Sequence, residues 1–157
     1  MLKTWAKENG PGKRCMSDKA FLDTNILVYA YDEHDPKKQK KAQTLLTEGV
    51  ENENTVLSVQ VLGEFFNVVT RHIKPLLSSE EAQEIIHTLS IMPVQEIDLA
   101  MVNRAIDTCK TYQISYWDAL IISAAERAGC VQIFSEDLSD GQSYRHIRVC
   151  NPFKKEQ

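Results

Sequence analysis

Four carboxylates in this chain have surroundings suited to chemistry. Asp23 follows directly on an apolar run, Ala20-Phe21-Leu22, and Asp137 comes within three residues of another that ends at Phe134. Asp118 falls in the first turn of a helix that Ser115 opens, and Glu64 lies inside a helical apolar stripe. Mg²⁺ and Mn²⁺ prefer hard oxygen ligands and keep several waters, so a carboxylate cluster with few other ligands suits them and does not suit zinc. A cation so held lowers the pKa of a bound water and neutralises charge building on a phosphate during in-line attack. Metal-assisted phosphodiester hydrolysis is the reaction class these residues fit.

Each carboxylate also has a plainer reading. Asp23 and Asp118 can serve as helix caps, the latter because Ser115-Tyr116-Trp117-Asp118 has capping-box spacing. Asp137 can be a turn residue in Ser135-Glu136-Asp137-Leu138-Ser139-Asp140-Gly141, and Glu64 a solvated helix charge. At about 100° per residue, the stripe of Val61, Leu62, Phe65 and Val69 leaves Glu64 roughly 120° from its centre, at the margin of the buried face. Asn67 and Arg71 continue that edge, and Arg71 lies too far along to pair with Glu64, which leaves it free to meet a phosphate. No single residue carries the case; joint placement has to.

The elements that must place them follow from periodicity and punctuation. Strands are expected at 20–22, 55–59, 93–97, 131–134 and 147–149, each short and mostly β-branched. Helices are expected at 25–31, from Pro36 through Glu51, 60–73, from Ser78 to about Ser90, from Asp98 to Tyr112 and from Ser115 to Ala128, with Gly129 as the stop. Helices alternating with such strands predict an α/β fold with a mainly parallel central sheet covered by helices on both faces. Ligands of such sheets lie beyond the carboxyl ends of the strands, where Asp23 and Asp137 fall.

Composition limits the alternatives. With 157 residues, 43% of them hydrophobic, one domain can bury a real core, expected at 19–150 between a leader at 1–18 and a tail at 151–157. Asn9-Gly10-Pro11-Gly12 breaks the leader, and Met16 is a second candidate start. Cys15, Cys109, Cys130 and Cys150 lie 20 or more residues apart and form no CxxC pair, so zinc and thioredoxin-like chemistry lack support. No apolar run approaches the ~18 residues a membrane helix needs, so no membrane role and a cytoplasmic location are expected. A net charge of -4 argues against a domain that grips nucleic acid through a broad basic face. The one dense basic run, Lys37, Lys38, Lys40 and Lys41, reads as a solvated helix face.

Four segments in this order resemble the PIN-domain family of metal-dependent nucleases, particularly the VapC-like toxin ribonucleases of type II toxin-antitoxin pairs. They are Phe21-Leu22-Asp23-Thr24-Asn25-Ile26-Leu27, Gly63-Glu64-Phe65, Trp117-Asp118-Ala119-Leu120-Ile121 and Phe134-Ser135-Glu136-Asp137-Leu138, and the likeness runs from about Lys19 to about Val149. The resemblance implies a three-layer α/β/α sandwich and an acidic site of Asp23, Glu64, Asp118 and Asp137 holding Mg²⁺ or Mn²⁺. It further implies supporting roles for Thr24, Asn25 and Ser135, RNA as substrate, a homodimer, and a small antitoxin as partner. Asp140 is not expected as a direct ligand. The alternative is a catalytically silent PIN-like RNA- or protein-binding module, although all four acidic residues are present. A phosphotransfer receiver is disfavoured because Thr24-Asn25 stands where an acidic pair is expected and Ser135-Glu136-Asp137 where a Lys is.

Overall fold

A computed structural model describes residues 18–154. The expected leader and the candidate start at Met16 therefore lie outside the described residues, apart from Asp18. Six strands form one sheet in the order β3-β2-β1-β4-β6-β5. They are β1 Lys19–Leu22, β2 Thr55–Ser58, β3 Val94–Gln95, β4 Cys130–Phe134, β5 Ser143–Tyr144 and β6 Ile147–Cys150. All neighbours run parallel except β5, which pairs antiparallel with β6.

The helices are α1 Thr24–Tyr31, α2 Pro36–Glu51, α3 Val59–Arg71, α4 Ser79–Leu89, α5 Leu99–Tyr112 and α6 Tyr116–Arg127. Parallel crossovers are right-handed, so a chain stepping from β1 to β2 to β3 lays its helices on one face, and the return to β4 lays them on the other. The packing follows that rule: α1 lies against α2 and α3, α3 against α4, and α5 against α6. The result is a three-layer α/β/α sandwich. Its core joins Phe21 and Leu57 of the sheet to Phe65 of α3 and Ile122 of α6, all fully buried. Every residue of α6 from Ala119 to Ala125 is buried, which makes that helix a central prop of the sheet.

Local chemistry sets the helix starts. Asp35 accepts from the Lys37 and Lys38 amides ahead of Pro36, Ser78 and Glu81 form a reciprocal capping box, and Asp98 and Ser115 cap α5 and α6. Three details depart from the sequence expectation. Ser58 caps α3 through the Val61 amide, so Val59 opens the helix instead of closing the strand. The strand expected over 93–97 shrinks to two residues, and β5 was not expected at all. Strands of two residues carry no periodicity to read.

The chain leaves β1 toward β2 on one side and leaves β4 toward β6 on the other. The gap between the carboxyl ends of β1 and β4 is thus the switch point of the sheet, where open α/β sheets place their ligands. The strand ends are tied there, since the Asp23 amide donates to the Phe134 carbonyl at 3.0 Å, joining β1 to β4, and the Ser135 amide donates to the Cys150 carbonyl at 3.1 Å, joining β4 to β6.

Candidate functional site

Asp23 is the innermost group at this edge. It caps α1 by accepting from the Thr24 amide at 2.7 Å, and its other oxygen accepts from the Ser135 hydroxyl at 2.7 Å and from Asn25 at 3.4 Å. Its residue is only 7% exposed. Burial pushes the carboxyl up to about 6, against the pull of the Ser135 and Thr24 hydrogen bonds, and the charges of Asp137 and Glu64 push in the same direction. Asp23 thus caps a helix, and it is also a buried carboxylate that feels the charges of two others.

Ser135 is fully buried and acts as a hub. While donating to Asp23, its oxygen accepts from the Asp137 and Leu138 amides at 3.1 and 3.2 Å. Asn25 spans the same segment from α1: its carbonyl accepts from the Glu136 amide at 3.2 Å, and its amide donates to Asp137 at 3.0 Å. Thr24 reaches the opposite way, donating to Glu64 at 2.8 Å. Thr24, Asn25 and Ser135 thus connect Asp23, Glu64 and Asp137 into one bonded network.

Asp118 joins less directly. Its carboxylate accepts from Ser115 at 2.8 Å while its amide donates back to that hydroxyl at 3.1 Å, so the capping role is also real. The link to the rest runs through Gln60, a residue that sequence reading places only at a helix start. Its amide group donates to Glu64 at 2.8 Å and to the Trp117 carbonyl at 3.3 Å, which pins the start of α6 beside α3. The Gln60 carbonyl oxygen is buried and has no hydrogen-bond partner.

The donor set is what a hard divalent cation requires, carboxylate oxygens without a thiol or imidazole among them. As placed, however, no three Asp, Glu, His or Cys side chains among the described residues converge as a metal-holding group. Each outer carboxylate faces a local donor instead: Glu64 faces Thr24 and Gln60, Asp137 faces Asn25, and Asp118 faces Ser115. Hydrogen bonds of this kind partly offset the mutual repulsion of like charges.

Neighbouring residues sort themselves out. Asp140 accepts from the Asn151 amide at 2.9 Å and from Lys154 at 3.1 Å, so it anchors the C-terminal segment and not the acidic site. Trp117 is 63% exposed, although aromatic residues at a helix start are more often packed, while Tyr116 supports it edge-on with ring centroids 5.1 Å apart. Arg71 is exposed at the far end of α3 and makes no ion pair among the described residues. Lys38 leaves the solvated face expected of its run: it ion-pairs with Glu136, whose other oxygen takes the Tyr29 hydroxyl. Burial works to raise the Glu136 carboxyl, and the Lys38 and Tyr29 hydrogen bonds outweigh it and hold it below the usual range.

A mainly parallel α/β/α sandwich with a buried aspartate and two further carboxylates at its switch point defines the class of protein. A family model described as PIN domain matches residues 20–139. The chain belongs to the PIN-domain family. No curated protein matches it. Among solved structures it is similar to VapC20 of Mycobacterium tuberculosis, a Sarcin-Ricin loop cleaving toxin, at 15% identity and TM-score 0.61, covering 76% of this chain and 90% of that one. It is also similar to a toxin-antitoxin complex from Klebsiella pneumoniae, at 16% identity and TM-score 0.64, covering 87% and 100%. A third is VapBC2 from Rickettsia felis bound to a DNA fragment from their promoter, at 18% identity and TM-score 0.60, covering 83% and 96%. At these identities the likeness is one of fold.

Proposed function

We propose that this chain is a divalent-metal-dependent endoribonuclease, the toxin of a toxin-antitoxin pair, acting in the cytoplasm. The observation that carries the reading is Asp23, a carboxylate buried at the switch point and pushed up to about 6, bonded through Ser135, Asn25 and Thr24 to the segments that bear Asp137 and Glu64. Burying a carboxylate beside like charges is unfavourable for folding alone and is the arrangement expected where a cation is to be held. Asp23, Glu64, Asp118 and Asp137 would hold Mg²⁺ or Mn²⁺. A bound cation of this kind supplies an acidified water and a counter-charge for the phosphodiester.

The remaining roles belong to the chain itself. Ser135 fixes the Asp23 carboxylate, Asn25 orients Asp137, and Thr24 with Gln60 orients Glu64. Trp117, exposed beside Asp118, offers a ring on which an unpaired base can stack. Arg71, seven residues beyond Glu64 and so about 10 Å further along α3, is available to the backbone of an extended strand. The antitoxin partner is supported by the toxin-antitoxin assemblies among the similar structures, while the homodimer rests on the family resemblance alone.

The test is cleavage of total RNA by the purified chain with Mg²⁺ or Mn²⁺, against EDTA and the Asp118→Asn variant. Cleavage that needs the cation and disappears in the variant at unchanged melting temperature is expected. Metal-independent cleavage, or a fully active Asp118→Asn, sinks the assignment. RNA binding without cleavage favours the silent binding module.

A further inference from the structure

By sequence, Lys38 is one of four lysines on a helix face and Glu136 is a turn residue; in the fold they meet beside the acidic site. The segment Ser135-Glu136-Asp137 is held from within by Asp23 and Asn25. The Glu136 side chain goes elsewhere, to the Lys38 ammonium of α2 and the Tyr29 hydroxyl of α1. Lys38 donates to the Tyr29 hydroxyl at 3.1 Å and stands 4.5 Å over the Tyr29 ring and 5.5 Å from the Phe153 ring. Phe153 packs edge-on against Tyr29 at 4.9 Å, so the C-terminal segment closes the arrangement.

This differs from an ordinary surface ion pair. Exposed pairs contribute little because two long side chains must be ordered in high dielectric. Here the Lys38 and Glu136 side chains are only 28% and 26% exposed, and two aromatic rings restrict the rotamers of the lysine. With the Tyr29 hydroxyl, the pair also ties α1 and α2 to a residue lying between Ser135 and Asp137. The Arg127–Asp98 and Lys154–Asp140 pairs each leave one partner more than 60% exposed.

We propose that Glu136, clamped by Lys38 and Tyr29, is a positioning residue that keeps Asp137 beside Asp23 and so sets the affinity of the acidic site for its divalent cation. The inference rests on the metal-dependent reading above. It makes an expectation that simple electrostatics reverses. Removing the Lys38 charge near a cation site should by Coulomb's law tighten cation binding; loss of the clamp weakens it.

The experiment is a Mn²⁺ titration without RNA, following the resonance of free Mn²⁺, on the parent, Lys38→Met, Lys38→Arg, Tyr29→Phe and Asp23→Asn. Support around metal ligands commonly sets affinity by 10- to 100-fold, so Lys38→Met should raise the dissociation constant on the order of tenfold. Tyr29→Phe, which changes no charge and keeps the ring, should weaken binding in the same direction by a smaller factor. Lys38→Arg should restore most of the parent's affinity. Mn²⁺ bound by Lys38→Met as tightly as by the parent, or more tightly, overturns the clamp while leaving the metal site standing. A parent that binds Mn²⁺ no better than Asp23→Asn overturns the metal-dependent reading, and the clamp with it.

Discussion

Replacing Asp23 by Asn should make the metal-free protein more stable at neutral pH while abolishing cleavage. Burial lifts this carboxyl from 3.8 to about 6, which favours the neutral form by about 3 kcal/mol. The sign follows from proton counting. Between pH 3.8 and about 6 the folded chain binds more proton at Asp23 than the unfolded chain does, so stability falls as pH rises through that window and stays lowered above it. Asparagine has the same shape and its oxygen still accepts from the Thr24 amide, but its NH2 group stands where the Ser135 hydroxyl and the Asn25 amide donate, and the lost acceptor offsets about 1–2 kcal/mol of the gain. The net expectation at pH 7.5 in EDTA is about 1–2 kcal/mol of added stability, or a rise in Tm of roughly 3–6 °C for a chain of this size.

Thermal melts of the parent and variant at pH 7.5 and pH 4.5, with and without Mn²⁺, provide the assay. At pH 4.5 the parent's Asp23 is already protonated in the folded state, so the difference should vanish or change sign. Mn²⁺ should raise the Tm of the parent by mass action and leave the variant unmoved. A variant destabilised equally at both pH values would mean that the carboxylate is fully compensated by its donors and serves mainly as a cap, contrary to the burial cost assigned to it.

Three other substitutions probe different parts of the argument. Gly49 lies inside α2 where a Cβ would stand 2.3 Å from the Thr55 hydroxyl and 2.8 Å from its Cβ, so Gly49→Ala should destabilise by about 1–3 kcal/mol in denaturant melts despite alanine's better helix propensity. Arg145 and His146 both take left-handed φ, 49° and 67°, in the two-residue turn joining β5 to β6. His146→Gly should therefore stabilise the chain by about 0.5–1 kcal/mol by the same measurement, with Arg145 kept for its contacts to Tyr112 and Thr108. Trp117→Ala removes an exposed ring, so stability should move by less than about 0.5 kcal/mol. Affinity for a single-stranded RNA should fall by about 1–3 kcal/mol in fluorescence titrations.

Most of the architecture was legible because its signals are local. Pro36, the capping box at Ser78 and Glu81, the caps at Asp98 and Ser115, and the stop at Gly129 announce helices within a few residues of themselves. Asp23 and Asp137 were legible for a related reason, since a strand end and the following turn are contiguous in sequence. What stayed hidden depends on distance along the chain. Lys38 and Glu136 are 98 residues apart, and Gln60 meets the Trp117 carbonyl across 57, so no spacing rule connects them. The two-residue strands β3 and β5 are defined by their partners and not by any pattern of their own.

The acidic residues show why weighing structural against functional roles one residue at a time could not decide the question. Asp23 caps α1, Asp118 exchanges hydrogen bonds with the cap of α6, and Asp137 is tied into the turn after β4. The structural reading is realised for each of the three. The hydrogen bonds that make them structural are also what make neighbouring carboxylates tolerable, because each of them has a donor. The other aspartate caps, Asp35 and Asp98, are not buried, whereas Asp23 is, with its carboxyl lifted by desolvation and further by Asp137 and Glu64. Capping accounts for the Thr24 bond of Asp23, and Ser135 and Asn25 add bonds of their own, but none of these accounts for the like charges of Asp137 and Glu64 beside it, which folding alone would not favour.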